Sequence, residues 1–247
     1  MTAHPAQNRV LPTGQIVSVP ARGSWMGNRG QLHRNDGTRQ VARASDSRAW
    51  LICTLEYKSR AMPQWQAGHN TQLFFHDEAV ALAAGHRPCA ECRRAPFSLY
   101  RDLAAKALGR PVKAPELDRV LHDQRQPGSH LDPARYWTAP WGLLPTGTFV
   151  IGDDGAPELV LEHHLVTFDA ATYTYGPARP RPRRGPATVL TAPLTVQVLT
   201  LGYRPHISAQ AGFTHPTPVG ATGANENLTS SPPQPAPGPL PTAPDAH

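Results

Sequence analysis

The sequence predicts an α+β protein in three parts. These are a small α+β domain over residues 10–125, a β-rich subdomain over 140–205 and a disordered Pro-rich tail over 206–247. Three observations carry this reading. Short strand-like runs alternate with helix-period runs in the first part. Short runs bounded by turns dominate the second. From about Ser208 the composition shifts to Pro, Ala, Gly, Thr and Ser, as in SSPPQPAPGPLPTAPDAH. Such a stretch buries too little apolar surface to offset the entropy of ordering it. The 247-residue chain is otherwise long enough to bury a real core.

In order, Gln15–Val19 and Ala49–Tyr57 have strand composition, and in the second Leu51, Cys53, Leu55 and Tyr57 fall on one face. Gln72–Phe75 reads as a short third strand. Asp77 can then cap a helix, Glu78 suits its first turn, AVALAA propagates it, and Gly85 supplies the left-handed residue after its end. Pro96 suits the first turn of a second helix, with Leu99, Leu103 and Ala107 inward and Gly109 ending it. Glu116–Arg125 is a third, with Leu117, Val120 and Leu121 inward. In the β-rich part, Thr148–Ile151 and Glu158–Leu161 flank the turn Asp153-Asp154-Gly155 as a hairpin. His164–Phe168 and Thr188–Thr191 add strands. Leu194–Leu201 fits strand or helix, and Gly176–Pro186 (GPARPRPRRGP) reads as a basic loop.

Charge and cysteine content narrow the class. The chain carries +6, but Glu226 and Asp245 are the only charged residues after Arg204, so the first 204 residues carry about +8. That balance fits a nucleic-acid or other anionic partner. Three cysteines, Cys53, Cys89 and Cys92, do not make a secreted disulfide scaffold and imply a reducing compartment. The N-terminal MTAHPAQNRVLPTG has no apolar core of signal-peptide length, and no apolar run approaches a membrane span. A cytoplasmic protein without a membrane partner is expected.

The densest chemistry lies in GHRPCAECRR, residues 85–94. A C-x2-C turn brings two thiolates onto one metal because its backbone amides point at the sulfurs. Cys89 and Cys92 have that spacing, and Arg87, Arg93 and Arg94 would offset the charge of a thiolate-rich site. A redox pair has the same spacing but typically opens a helix after a strand. Two core thiols are the third reading.

The stretch LFFHDEAVALAAGHRPCAECRR, residues 73–94, resembles the second half of the N-terminal zinc-binding domain of Ada-type DNA repair proteins. Phe74, Phe75, Ala81, Leu82, Ala83, Ala84, Gly85, Arg87, Pro88, Cys89 and Cys92 fall on the family's pattern of strand, helix and knuckle without gaps. The likeness covers about a tenth of the chain. It implies a small zinc-binding α+β domain, zinc ligation by Cys89 and Cys92, and a link to DNA binding and repair. The family uses four cysteines, one of which accepts a methyl group from a DNA phosphotriester. Its first pair, spaced C-x3-C, falls on Lys58 and Met62 here, so Cys53 is the upstream thiol that remains.

Cys53 is thus the expected third ligand, against the alternative of a core thiol between Leu51 and Leu55. His33, His69, His76 and His86 compete for the fourth place. His33 is chosen because the glycines of WMGNRGQLH allow tight backbone geometry ahead of its imidazole.

Three functions follow. In the first, Arg29, Arg87, Arg93 and Arg94 contact the phosphates of a nucleic acid, most simply DNA. They are joined by the arginines at 22, 34, 39, 43 and 48, and by backbone amides of the loop Gly27–Gly30. In the second, the protein is a structural-zinc interaction module using the β-rich part, the aromatics Tyr136, Trp137 and Trp141, and protein contacts of the Pro-rich tail. In the third it is an enzyme on nucleic acid, with Cys53 as methyl acceptor. His122-Asp123, His130 with Asp132, or His163-His164 would instead serve hydrolysis. No phosphate-cradling glycine motif, dinucleotide fingerprint or serine-nucleophile elbow occurs.

Overall fold

A computed structural model describes residues 5–34, 36–58, 64–125 and 136–212. Met62, His130, Asp132 and the tail from residue 213 lie outside the described residues. The described residues form one compact unit.

Two six-stranded sheets organise that unit. The first contains β1 (Gln7–Val10), β2 (Ile16–Ser18), β3 (Trp25–Asn28), β4 (Leu51–Cys53), β5 (Leu73–Phe75) and β6 (Arg87–Pro88). Its spatial order is β2-β1-β5-β3-β4-β6, mixed in direction, with β1–β5 and β4–β6 parallel. Pro88 is tolerated because β6 is an edge strand. Helices α1 (Glu78–Ala83), α2 (Arg94–Leu108) and α3 (Ala114–Arg125) follow β5 and β6.

The second sheet is antiparallel throughout. It comprises β7 (Trp137–Pro140), β8 (Phe149–Ile151), β9 (Pro157–Val160), β10 (His164–Asp169), β11 (Thr174–Pro180) and β12 (Pro186–Val189), in the order β11-β10-β9-β8-β12-β7. Helix α4 (Pro193–Thr200) closes the fold, with proline in its first turn.

Each sheet has its own core, and helix α1 joins them. Helix α1 is buried on every side, and its small residues serve two cores. Ala81 and Leu82 join the first-sheet core with Phe75 and Tyr100, while Ala79, Val80 and Ala83 pack on Phe149, Phe168 and Tyr175 of the second. Leu194, Val198 and Leu199 of α4 return to the first core, and Val196 to the far face of the second sheet. The AVALAA run is narrow enough for two sheets to approach one helix. The Asp77 side chain caps α1 by accepting from the Val80 amide (2.9 Å), and Gly85 takes φ 89° behind it.

Several expectations change. The Ala49–Tyr57 strand is only β4, and Leu55 is exposed beyond it. Leu99 is exposed too, because Phe97, Tyr100, Leu103 and Ala104 form the inward face of α2. Gly27 and Asn28 belong to β3, where a Cβ on Gly27 would lie 2.0 Å from the Leu51 carbonyl oxygen. Gly27 therefore allows the close approach of β4, not of a phosphate. The basic segment at 176–186 begins as strand β11, paired with β10 as far as Pro180, and only 181–185 is the expected loop, carrying Arg181, Arg183 and Arg184. Residues 206–212, expected in the tail, are ordered: Ile207 and Ala211 enter the second core, and the Ser208 amide donates to Asp77 (2.9 Å).

Candidate metal centre

The sheet brings together what the sequence separates. Strand β4 carries Cys53 at its end, and β6 runs parallel beside it with Leu51 opposite Arg87 and Ile52 opposite Pro88. The Cys89 amide donates to the Ile52 carbonyl (2.9 Å), so Cys89 follows β6 at the level of Cys53. The chain then turns, the Arg93 amide closing on the Cys89 carbonyl (3.1 Å), and α2 begins at Arg94. The sulfurs of Cys53, Cys89 and Cys92 all lie within 4.8 Å of one another. Zinc–sulfur bonds of ~2.3 Å at tetrahedral angles put sulfurs ~3.8 Å apart, within that envelope. Three close cysteines here can hold a metal ion.

The local backbone favours negative sulfur. The Glu91 amide donates to Cys89 Sγ (3.4 Å), the Cys92 amide also bonds Cys89, and the Thr54 amide bonds Cys92. Cys89 and Cys92 lead directly into a fifteen-residue helix, whose dipole favours anions at its start. Without a cation the three sulfurs share protons unequally. A hydrogen bond from Cys53, aided by those amides, pulls Cys89 down to about 5, against its burial. Cys53 is pushed far up, chiefly by the same hydrogen bond and then by burial, and burial also raises Cys92. A divalent cation bound here would supply the charge that favours the thiolate form of all three.

The knuckle does run from a strand into a helix, as a redox pair would. What separates it from that pattern is the third sulfur, on a neighbouring strand. Cys53 and Cys89 are buried, and Cys92 is half-buried at the rim.

The expected fourth ligand does not join them. Both ring nitrogens of His33 are engaged elsewhere, Nδ1 with Thr71 Oγ1 (2.7 Å) and Nε2 with the Gln66 carbonyl (3.2 Å). The imidazole ties the chain after β3 to the loop before β5. His69 is exposed beside the Ala67 carbonyl. His76 and His86 are core residues, set edge-on against Tyr175 and Phe75 respectively. Among the described residues, the cluster contains three sulfurs and no imidazole.

Three of the four arginines expected at phosphates are internal struts. Arg87 makes a two-pronged bond to Asp118 (2.9 and 2.8 Å), locking α3 to β6. Arg93 reaches Glu78 (2.8 Å), which also accepts from the Tyr203 hydroxyl (2.6 Å) and the His206 amide (3.0 Å). Arg29, fully buried, lies over Trp50 and donates to the Gly14 carbonyl (2.9 Å) and His86 Nε2 (3.2 Å). Only Arg94 of the four is exposed. A guanidinium beside a knuckle suits internal carbonyls and carboxylates as well as external phosphates. The carboxylates of Glu78 and Asp118 are the signal of that alternative.

Two other candidate groups settle into the fold. Trp141 packs with Val150 and Val189, and Tyr136 and Trp137 pack against core clusters of the second sheet. His122 is on α3, while Glu162, His163 and His164 form an exposed turn and strand start. Compared with protein-family models, curated proteins and solved structures, the chain matches none of them.

Proposed function

We propose that this is a zinc-stabilised nucleic-acid-binding protein. In this reading Cys53, Cys89 and Cys92 are thiolate ligands of one Zn2+, and the metal organises the edge of the first sheet that faces an anionic partner. The observation that carries it is the convergence of three sulfurs, with backbone amides turned toward them, at the start of α2. Thiolates of this kind favour zinc among abundant divalent ions. Three protein donors leave one corner of a tetrahedron for water or a ligand atom.

The partner reading rests on charge. With Arg29, Arg87 and Arg93 withdrawn into the fold, the exposed arginines of that set are Arg22, Arg34, Arg39, Arg43, Arg48 and Arg94, of which Arg43 pairs with Asp46. The link to DNA and its repair comes from the resemblance of residues 73–94 to the Ada-type zinc domain. Metal analysis of the purified chain should give one equivalent of zinc, lost in Cys89→Ser. Oligonucleotide affinity should fall steeply as salt rises. A metal-free wild-type chain, or binding that is equally weak at low and high salt, would refute the respective half.

One observation favours a second reading, a methyl acceptor. Cys92 is half-buried while Cys53 and Cys89 are buried, which favours Cys92 over the expected Cys53 as the acceptor. The Cys92 thiolate would take the methyl carbon of a methylphosphotriester as the C–O bond breaks, releasing a phosphodiester anion. Intact mass after incubation with such an oligonucleotide would show one added methyl on Cys92.

A further inference from the structure

Away from the cysteines, one row of side chains crosses the first sheet. The register pairs Arg9 with Phe74, Phe74 with Met26, and Met26 with Cys53. Directly paired residues share a face. Guanidinium, phenyl, thioether and thiol therefore stand side by side, opposite the face of Val10, Phe75 and Ile52 that builds the core. Contacts follow the register. Phe74 packs on the cluster of Met26, Cys53 and Cys89, and the Arg9 guanidinium lies over the Phe74 ring at 5.0 Å.

At the Arg9 end this face opens into a recess of about 370 Å³, large enough for a small ligand. Among the described residues its polar lining is Asn8, Arg9, Arg39 and Gln64, with no carboxylate. Asn8 is buried and its side-chain oxygen accepts from Nη1 of Arg9, while Nε of Arg9 donates to the Ala21 carbonyl. These bonds fix the guanidinium and leave Nη2 without a protein acceptor among the described residues. Arg87 and Arg93 each meet a carboxylate, whereas Arg9 meets none among the described residues. Burial accordingly lowers the pKa of Arg9. A half-buried, oriented and uncompensated cation is what an anion subsite requires.

We infer that this recess binds the phosphate group of a phosphate ester, whose remainder extends along Phe74 toward the cysteines. Three strand spacings of ~4.8 Å separate β1 from β4, so ~14 Å lies between the two ends. An ester of nucleotide size or a strand can span that, and inorganic phosphate cannot. The recess stands on its own lining; the pairing with a metal-bound group rests on the zinc reading above.

The test uses the full chain with its native metal and three probes: inorganic phosphate, adenosine monophosphate and a short fluorescein-labelled single strand. Arg9→Gln and Arg39→Ala should each weaken the best-bound probe about tenfold or more. Arg119→Ala, which removes an exposed charge on α3, should change it less than about twofold. Binding of the strand alone identifies a phosphodiester source, and binding of the mononucleotide a free ester. Equal weakening by all three substitutions, or no probe binding below about 1 mM, overturns the subsite. If Arg9→Gln fails to fold, exposed Arg39 decides. Zinc content is measured in parallel: a metal-free wild type whose binding still falls with Arg9 and Arg39 keeps the subsite and rejects the zinc reading.

Discussion

The two faces of the first sheet use the same strands for opposite purposes. On the inner face Val10, Leu73, Phe75 and Ile52 are fully buried against α1, α2 and α4. On the outer face Arg9, Phe74, Met26 and Cys53 form a row that ends in the sulfur cluster. The two-residue period of a strand makes this division unavoidable: each step along the chain changes side. The inner face shows what stability asks of a strand, shape and apolar volume. The outer row is chemically mixed, and its members are held by packing rather than chosen for it. The knuckle sits at the end of that row because β6 joins the edge, so a ligand on the outer face and a metal at the edge would be neighbours.

The largest expected effect is on the outer face. If zinc is bound, Cys89→Ser or chelation should cost several kcal/mol, bounded by the ~10 kcal/mol that structural zinc supplies to small domains. Melting with and without chelator measures it. No shift in Tm on chelation would mean that the sulfurs are held by the fold alone. Next comes the strut beneath the knuckle. Asp118→Ala leaves Arg87 buried without its partner and should destabilise by about 3–5 kcal/mol. On the inner face Ile52→Ala should cost about 2–5 kcal/mol, and Ile52→Val about 1 kcal/mol. If that pair leaves zinc content unchanged while lowering stability in denaturant, the two faces are separable.

The helices and one hairpin were legible and most of the first sheet was not, for physical reasons. The Asp77 cap, Gly85, Pro96 and Gly109 are local signals, and α1, α2 and α3 appear where those signals put them. The hairpin around Gly155 and the strand at 164–169 are equally local. Leu194–Leu201 was ambiguous because its five apolar residues in eight fit either period, and packing on Tyr100 and Leu121 decides for helix. Strands β1, β3 and β6 are two to four residues long and take their identity from neighbours far along the chain. Pairing of that kind cannot be seen in a local window. Cys53 was within reach as a ligand because thiols are scarce here, but its adjacency to Cys89 depends on the parallel β4–β6 contact. The arginines misled because their internal acceptors, Asp118 and Glu78, are distant in sequence.

A smaller effect tests the inner face through pH. His86 is fully buried between Trp50 and Phe75, and burial, then Arg29 and Arg125, hold its pKa well below 6.5. The unfolded chain takes up this proton below about pH 6.5 while the folded one does not, so stability should fall as pH drops there. The slope from this group approaches about 1.4 kcal/mol per pH unit. Urea titrations between pH 7 and pH 5 measure it. His86→Gln keeps an acceptor for Arg29 and should flatten that part of the profile.

The smallest expected effect separates two adjacent arginines. Arg93 lies inside, ion-paired to Glu78 and over the Trp25 ring at 4.2 Å, and Arg94 lies outside at the first position of α2. Arg94→Ala should alter stability by no more than about 0.5 kcal/mol. If nucleic acid is the partner, it should also reduce the slope of log affinity against log salt by about 1. Arg93→Ala, which strands Glu78, should do the reverse, lowering stability by about 3–5 kcal/mol while leaving the salt slope of the folded protein unchanged. A salt slope that responds to Arg93 and not to Arg94 would mean that the buried ion pair opens to meet the ligand. The division between supporting and contacting arginines would then fail at the residue pair where it is drawn most sharply.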